Sequence, residues 1–203
     1  MWDERYASEG YFYGKEPNDF LKENVQLIRS GESVLCLAEG EGRNAVFIAG
    51  AVKSTQVTAV DSSKVGLDKT KALALEKGVS IETMHADLSE FDFGRDKWDV
   101  IVSIWCHLPS ELRKKVHAAA VRGLKSGGRF ILEAYTPDQL KHATGGPKSV
   151  DMLMQLSALK EELAGLDFVI GRECEREIHE GQGHFGLSAV VQVVAQKTRD
   201  SGL

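Results

Sequence analysis

The sequence predicts a doubly wound α/β domain whose mainly parallel sheet is extended by an antiparallel hairpin. Three features carry this prediction. Short apolar runs with the length of buried strands alternate with helical patterns over most of the chain. A turn from Gly40 to Gly42 follows the first of these runs and leads directly into a helical pattern. Near the C-terminus, two long extended runs are joined by Gly181-Gln182-Gly183, which is typical of a hairpin.

The first elements can be placed from the spacing of their apolar residues. Residues 2–15 are aromatic and punctuated by glycine, and residues 17–31 predict a helix that ends near a glycine. Residues 33–38 predict a strand buried on both faces, and residues 43–49 predict the helix after the glycine turn. This strand–turn–helix unit is therefore expected to begin the sheet.

The same alternation continues to residue 135. Further strands are expected at residues 56–60, 79–85, 98–105 and 128–135, and helices at residues 63–77 and 109–124. Strands that alternate with helices in this way are joined by right-handed crossovers, so we expect these five strands to be parallel.

The C-terminal third departs from the alternation. Residues 136–150 include Gly-Gly-Pro and are expected to form a loop over the carboxyl edge of the sheet, followed by a helix at residues 153–163. The extended runs at residues 168–179 and 185–197 then complete a seven-stranded sheet as an antiparallel pair on one edge.

Composition narrows the class of protein. The chain has 203 residues, 42% hydrophobic and 27% charged, which fits one globular domain, and its net charge of −5 disfavours nonspecific binding to nucleic acid. It contains no apolar run of membrane-spanning length, and its polar opening residues predict no secretory signal. Three scattered cysteines are typical of reduced thiols and lack metal-ligand spacing. We therefore expect a cytoplasmic protein with no metal site, no nucleic-acid partner and no membrane partner; its oligomeric state stays undefined.

Residues at three successive strand ends indicate a nucleoside ligand. Gly40 and Gly42 allow the backbone to approach a ligand, and the following helix offers unpaired N–H groups. Asp61 ends the second strand about twenty residues later, where a carboxylate can accept from both ribose hydroxyls. Asp87 follows the third strand, where it can accept from an adenine amino group while the Leu88 backbone meets a ring nitrogen. Each aspartate alone fits a helix cap equally well, but the ordered set favours adenosine.

With these motifs the chain resembles the class I S-adenosylmethionine-dependent methyltransferases. Within them it is most similar to the bacterial branch of tellurite-resistance and thiopurine methyltransferase-like proteins. The resemblance covers nearly the whole chain, including Tyr11 to Pro17 and the hairpin residues His179 to His184. It implies a Rossmann-like methyltransferase fold, S-adenosyl-L-methionine as cofactor, and methyl transfer to a small acceptor such as a thiol or a metalloid.

The resemblance also implies a single methyltransferase domain over residues 1–203. Its parts would be an N-terminal lid and helix (1–30), a cofactor-binding core (33–135), and a substrate-side loop, helix and hairpin (136–203). The residues expected at the cofactor are Tyr13, Gly14, Ala38, Glu39, Gly40, Gly42, Arg43, Asn44, Asp61, Ser62, Asp87, Leu88, Ile104 and Trp105. On the substrate side, His107 and Tyr135 are the candidate catalytic residues.

The chain departs from the family pattern in its first loop. Cys36 stands where the family usually has an acidic residue, and Ala38 stands where it usually has glycine. The carboxylate that commonly contacts the methionine amino group is therefore missing. Glu39, Glu41 or a backbone carbonyl would have to take its place.

Two other functions fit part of the pattern. Gly40-x-Gly42-x-x-Ala45 also matches a loose dinucleotide fingerprint, so an NAD(P)-dependent oxidoreductase is one alternative. The chain is short for a dinucleotide fold with a separate substrate domain, which counts against it. A non-catalytic module that binds S-adenosylmethionine is the other alternative, because the altered first loop leaves turnover open.

Overall fold

The computed structural model describes residues 2–198, which form a seven-stranded mixed sheet. Across the sheet, the strands are ordered β3-β2-β1-β4-β5-β7-β6; β1 to β5 are parallel, and β7 is antiparallel to β5 and β6. The predicted doubly wound sheet with a C-terminal hairpin is confirmed, while the predicted limits at residues 1 and 203 lie outside the described residues. The strands are β1 (Ser33–Leu37), β2 (Gln56–Asp61), β3 (Glu82–His85), β4 (Trp98–Ile104), β5 (Leu124–Tyr135), β6 (Leu166–Glu180) and β7 (His184–Lys197).

Helices cover both faces of this sheet. Val34 and Cys36 of β1 belong to a core shared with α2 (Asp19–Asn24) and α3 (Arg43–Ala51). Leu35 and Leu37 belong to a core shared with α5 (Ser110–Gly123) and α6 (Leu156–Glu162). Burial on both faces explains the continuous apolar runs in the sequence. The α-helices are α1 (Trp2–Tyr6), α2 (Asp19–Asn24), α3 (Arg43–Ala51), α4 (Lys64–Lys77), α5 (Ser110–Gly123) and α6 (Leu156–Glu162). Short 3-10 helices cover Val25–Leu27, Pro137–Lys141 and Val150–Met152.

Helix α4 shows how local sequence sets these boundaries. Ser63 caps its N-terminus, because the Ser63 Oγ accepts a hydrogen bond from the Gly66 N–H at 3.0 Å. Gly78 ends the helix in the left-handed conformation, with φ of 67°. The predicted start and end of this helix are therefore confirmed.

Several boundaries differ from the prediction. Residues 2–6 form α1, and the helix expected at 17–31 is divided into α2 and a 3-10 turn. Strand β3 begins only at Glu82, the first residue that pairs with β2. Strand β5 begins at Leu124, which pairs with Trp98 ahead of an irregularity in the β4–β5 ladder. Among residues 2–198, no helix combines the length and apolar character needed to cross a membrane.

Candidate functional site

A cavity of about 610 Å³ opens at the carboxyl edge of the parallel strands. Its volume lies within the range typical of small-molecule sites. The loops after β1, β2 and β3 form one wall, here called the strand-end wall. Helix α1, the segment around Tyr13, the loop after β4 and the hairpin tip form the other, here called the lid wall. The predicted site residues that line the cavity are Tyr13, Ala38, Glu39, Arg43, Asn44, Asp61, Ser62, Asp87, Leu88, Ile104, Trp105 and His107.

The two glycines of the first loop do not line the cavity. A Cβ added at Gly40 would stand 2.5 Å from the Tyr6 hydroxyl, and one added at Gly42 would stand 2.7 Å from the Thr70 side chain. Both glycines have positive φ, 62° and 90°. Glycine is therefore required here by backbone conformation and by packing within the protein, and the expected contact of these residues with the cofactor stays a prediction.

Gly14 and Tyr135 also lie outside the cavity wall. Gly14 packs against the hairpin tip, where an added Cβ would contact the Gly181 backbone N at 3.6 Å. Tyr135 is 0% exposed, and its ring stacks under Trp105 with 4.5 Å between ring centroids. Tyr135 thus supports the wall instead of facing a substrate.

Asp61 combines a structural role with a place in the strand-end wall. Its Oδ2 accepts from the Gly40 N–H at 2.8 Å, and its Oδ1 accepts from the Ser63 N–H at 2.7 Å. Burial raises the pKa of this carboxyl group, and the two N–H groups oppose that rise. Because each carboxylate oxygen can accept more than one hydrogen bond, Asp61 keeps acceptor capacity toward the cavity. The turn-forming and ligand-binding interpretations are therefore compatible.

Asp87 occupies the matching position after β3. Its Oδ1 accepts from the Ser89 N–H at 2.8 Å, and this bond lowers the pKa of the carboxyl group. The Ala86 N–H donates to the Asp61 carbonyl at 3.0 Å, which holds the loop after β3 beside the end of β2. Two carboxylates from separate strands thus reach the same wall.

Glu39 lies between the end of β1 and the start of α3. Its Oε1 accepts from the N–H groups of Asn44 and Ala45 at 2.9 and 2.8 Å. These N–H groups have no partner within the helix, so the carboxylate caps α3 from outside. Burial raises the pKa of Glu39 to about 7. The loop therefore places a buried carboxyl group in the cavity wall.

Trp105 dominates the lid wall and has an unusual backbone. Its φ of 56° is in the left-handed region, which is costly for a bulky residue. The indole N–H donates to Glu180 Oε2 at 2.6 Å, and the ring packs against both Tyr135 and His184, with 4.5 and 4.9 Å between ring centroids. Tyr13 meets the His184 ring edge-on at 4.8 Å between ring centroids. A buried hydrogen bond and aromatic packing together hold this conformation.

His107 is committed to the backbone. Its Nδ1 donates to the Met152 carbonyl at 2.9 Å, and its Nε2 accepts from the Tyr135 N–H at 3.4 Å. Burial lowers the pKa of the imidazole to about 4. A neutral ring with both nitrogens engaged is better suited to forming the wall than to proton transfer.

A buried ionic network lies beneath the lid wall. Glu180 accepts from Arg43 at 2.6 Å and from the Asn18 amide at 2.8 Å. The same amide donates to Glu133 at 2.6 Å, and Glu133 also pairs with Arg176 at 2.7 Å. Glu133 is 0% exposed. The network thus joins the N-terminal segment, the start of α3, β5 and the hairpin.

The hairpin tip holds the segment around Tyr13 over the cavity. The Gln182 N–H donates to the Phe12 carbonyl at 2.9 Å. A Cβ added at Gly183 would stand 2.3 Å from the Tyr13 ring. Glycine at this position therefore permits the close approach of tip and lid.

The cavity is also lined by residues outside the set predicted from the sequence, among them Arg5 and Tyr6. Tyr6 is 5% exposed, and Arg5 donates to the Tyr13 hydroxyl at 3.0 Å while lying over the Trp2 ring. Both belong to α1, whose five residues are too few to show helical periodicity. The sequence signal for this helix is the i, i+4 spacing of Trp2 and Tyr6, whose rings stack.

The strand-end wall also has a recognisable sequence. Residues 34–128 match the methyltransferase domain family. The matched segment contains the loops that carry Glu39, Asp61 and Asp87. No curated protein matches the chain. Within residues 2–198, no cluster of three or more His, Cys, Asp or Glu side chains is arranged to hold a metal ion.

The complete fold recurs in solved structures. TehB from Haemophilus influenzae has a TM-score of 0.70 at 20% identity, over 89% of this chain and 62% of TehB. A SAM-dependent methyltransferase from Methanosarcina mazei has a TM-score of 0.66 at 16% identity, over 91% and 100%. A protein concerned with conversion of a disulfide bond into a thioacetal group during echinomycin biosynthesis has a TM-score of 0.74 at 16% identity, over 99% and 92%. The fold is that of Rossmann-like methyltransferases.

Proposed function

We propose that the protein is an S-adenosylmethionine-dependent methyltransferase that acts on a small-molecule acceptor. The observation that carries the proposal is the convergence of Glu39, Asp61 and Asp87 on one cavity wall inside the family-matched segment. Ligands of open α/β sheets bind at this edge, outside the carboxyl ends of the strands. A small-molecule acceptor and a cytoplasmic location remain predictions from the sequence.

The residues of the strand-end wall fit the cofactor. Ribose hydroxyls and the adenine amino group are donors, and Asp61 and Asp87 offer acceptors at adjacent strand ends. Leu88 adds an apolar side chain beside them. Aromatic rings such as Trp105 attract a sulfonium through the negative face of the ring. The donor and acceptor groups of this wall therefore complement those of an adenosyl sulfonium.

When bound, the cofactor supplies an electrophilic methyl group. The chain then has to orient the acceptor and exclude water. We assign both tasks to the lid wall. Both ring nitrogens of His107 bond backbone groups, so His107 is not free to take a proton from the acceptor. An acceptor that loses its proton to solvent therefore suits the site. Leu108, Leu112 and Met152 line the cavity and favour a soft, apolar acceptor such as a thiol. A metalloid acceptor is the alternative within the same family branch.

Calorimetric titration with S-adenosylhomocysteine tests the cofactor assignment. We expect one site per chain, and a roughly 10- to 100-fold loss of affinity in Asp61→Asn, because a hydrogen bond to a charged group contributes about 1.5–3 kcal/mol. Asn is preferred to Ala because its amide oxygen can replace one of the two acceptors that hold Gly40 and Ser63. Asp167→Asn, on the exposed edge strand, is the matched control and is expected to keep wild-type affinity.

The outcomes separate the alternative functions. Absence of binding by a folded wild-type protein, or equal affinity in Asp61→Asn, would contradict the assignment. Tight binding without formation of S-adenosylhomocysteine from S-adenosylmethionine and a panel of thiols would favour the non-catalytic module. A change in nicotinamide absorbance with NAD(P) would favour the oxidoreductase.

A further inference from the structure

Glu39 is a buried carboxyl group whose hydrogen bonds are one-sided. Both N–H groups that reach it, from Asn44 and Ala45, donate to Oε1. Among residues 2–198, none donates a hydrogen bond to Oε2, although the residue is only 9% exposed and lines the cavity. Oε2 is also not a fully buried atom, since among residues 2–198 only Arg129 Nε is buried without a hydrogen-bond partner. Oε2 can therefore be reached from the cavity and accept a hydrogen bond from a ligand there.

The neighbouring charges do not provide that donor. Arg43, the cation nearest in sequence, directs its guanidinium to Glu180 at 2.6 Å and to the Glu16 carbonyl at 3.1 Å. The positive charge of Arg43 lowers the pKa of Glu39 and the negative charge of Asp61 raises it, but Arg43 gives Glu39 Oε2 no hydrogen bond. The unpaired side of Glu39 therefore suits a positively charged ligand group.

Other acidic candidates in the first loop are placed differently. Glu41 pairs with Lys69 at 3.0 Å and accepts from the Tyr13 N–H at 3.3 Å, and it does not line the cavity. Cys36 is 0% exposed inside β1 and also lies away from the cavity. Of the two glutamates that the sequence left open, the geometry therefore selects Glu39.

We propose that Glu39 Oε2 binds the α-ammonium group of the methionine part of the cofactor, while Oε1 keeps α3 capped. The assignment rests on the proposed function and specifies the subsite for one charged group. A single carboxylate of this loop would then have two functions: it caps the N-terminus of α3 and binds the ammonium group. Asp61 and Asp87, at the ends of β2 and β3, are left for the adenosine.

Paired ligands test this assignment by calorimetry. S-adenosylhomocysteine is compared with its deaminated analogue, which keeps the carboxylate and lacks the amine, on wild type and Glu39→Gln. Gln preserves an oxygen that can cap α3 but removes the charge. In wild type we expect loss of the amine to weaken binding about 10- to 100-fold, as expected for a hydrogen bond between charged groups. In Glu39→Gln the two ligands are expected to differ less than about 3-fold, since the interaction partner is gone.

Controls distinguish this proposal from its rivals. Glu161→Gln, on exposed α6, is expected to keep the wild-type ratio between the two ligands. The same large ratio in Glu39→Gln as in wild type would overturn the assignment, as would equal affinity of wild type for both ligands, a result that needs no variant to fold. Failure of wild type to bind either ligand would instead overturn the proposed function.

Discussion

The two walls of the cavity are built from contacts of very different sequence range. In the strand-end wall, Glu39 caps residues five and six positions away, and Asp61 bonds N–H groups two and 21 positions away, at Ser63 and Gly40. In the network beneath the lid wall, Asn18 bonds a residue 162 positions away, Glu180. One wall is therefore set by short loops, and the other only exists once the hairpin has returned across the sheet.

This difference separates binding from stability. A substitution in the strand-end wall removes a ligand contact but leaves most long-range packing unchanged. A substitution in the lid wall disturbs buried charges or aromatic packing that join distant segments. We therefore expect substitutions in or beneath the lid wall to lower the free energy of unfolding more than substitutions in the strand-end wall. Three experiments test this difference.

The largest effect is expected at the buried network. Glu133→Ala removes the partner of Asn18, Arg176 and Gln192 from a site that is 0% exposed. Breaking a buried ion pair on one side typically costs about 3–5 kcal/mol, because the other charge stays buried. Urea unfolding should show this loss, with little change for the exposed Glu177→Ala on the same hairpin. Equal stability of the two variants would remove the proposed contrast between the walls.

The next effect is a pH dependence carried by two lid-wall histidines. Burial lowers the pKa of His107 to about 4 and of His184 to about 3, below the ordinary value of 6.5. Below pH 6.5 the unfolded chain therefore binds protons that the folded chain does not. The stability is present above pH 6.5 and is lost as the pH falls toward about 4, by up to about 1.4 kcal/mol per pH unit for each histidine.

Substitution of His184 tests whether this histidine contributes to the pH dependence. His184→Gln should flatten the dependence of the free energy of unfolding on pH by the share of one histidine. His179→Gln, on the exposed face of the hairpin, is the control for the effect of a histidine-to-glutamine substitution itself. A slope that is unchanged in His184→Gln would show that other groups carry the acid sensitivity.

The smallest effect on stability is expected at the hairpin tip. Gly183→Ala forces the Tyr13 and Phe12 rings to move, since the new Cβ would lie 2.3 and 2.7 Å from them. We expect a loss of about 1 kcal/mol in the free energy of unfolding, the lower end for overpacking, because these rings lie at the rim. Release of S-adenosylhomocysteine should become roughly 10-fold faster in stopped-flow fluorescence, as expected for about 1.4 kcal/mol of lost closure. Gly50→Ala in α3 is the control, and an equal release rate in both variants would argue against closure by the tip.

The first wall could be predicted closely from the sequence. Asp61 and Asp87 were placed at adjacent strand ends because burial patterns and turn residues mark where strands stop. Glu39, Arg43 and Asn44 followed from the strand–turn–helix unit. Their positions at the cavity depend on residues nearby in the chain, so the sequence carries the information directly.

The lid wall contains contacts that such reasoning does not reach. His107 and Tyr135 were selected as catalytic candidates because they follow strands at the correct edge. The structure gives His107 two backbone partners and buries Tyr135 beneath Trp105. Neither fact is visible in a strand-end pattern, because the partner residues come from other loops.

Local sequence patterns were enough to predict the parallel sheet, the edge at which the cavity lies, and the carboxylates of the strand-end wall. Strand burial, glycine turns and helix caps act over a few residues, and a linear pattern records them. Only the tertiary structure decided that Gly40 and Gly42 pack against Tyr6 and Thr70. It alone also decided that Glu180 orients Trp105 and that one oxygen of Glu39 is left for the cavity. The physical reason is that packing and charge pairing join residues far apart in the chain, where no local pattern specifies the partner.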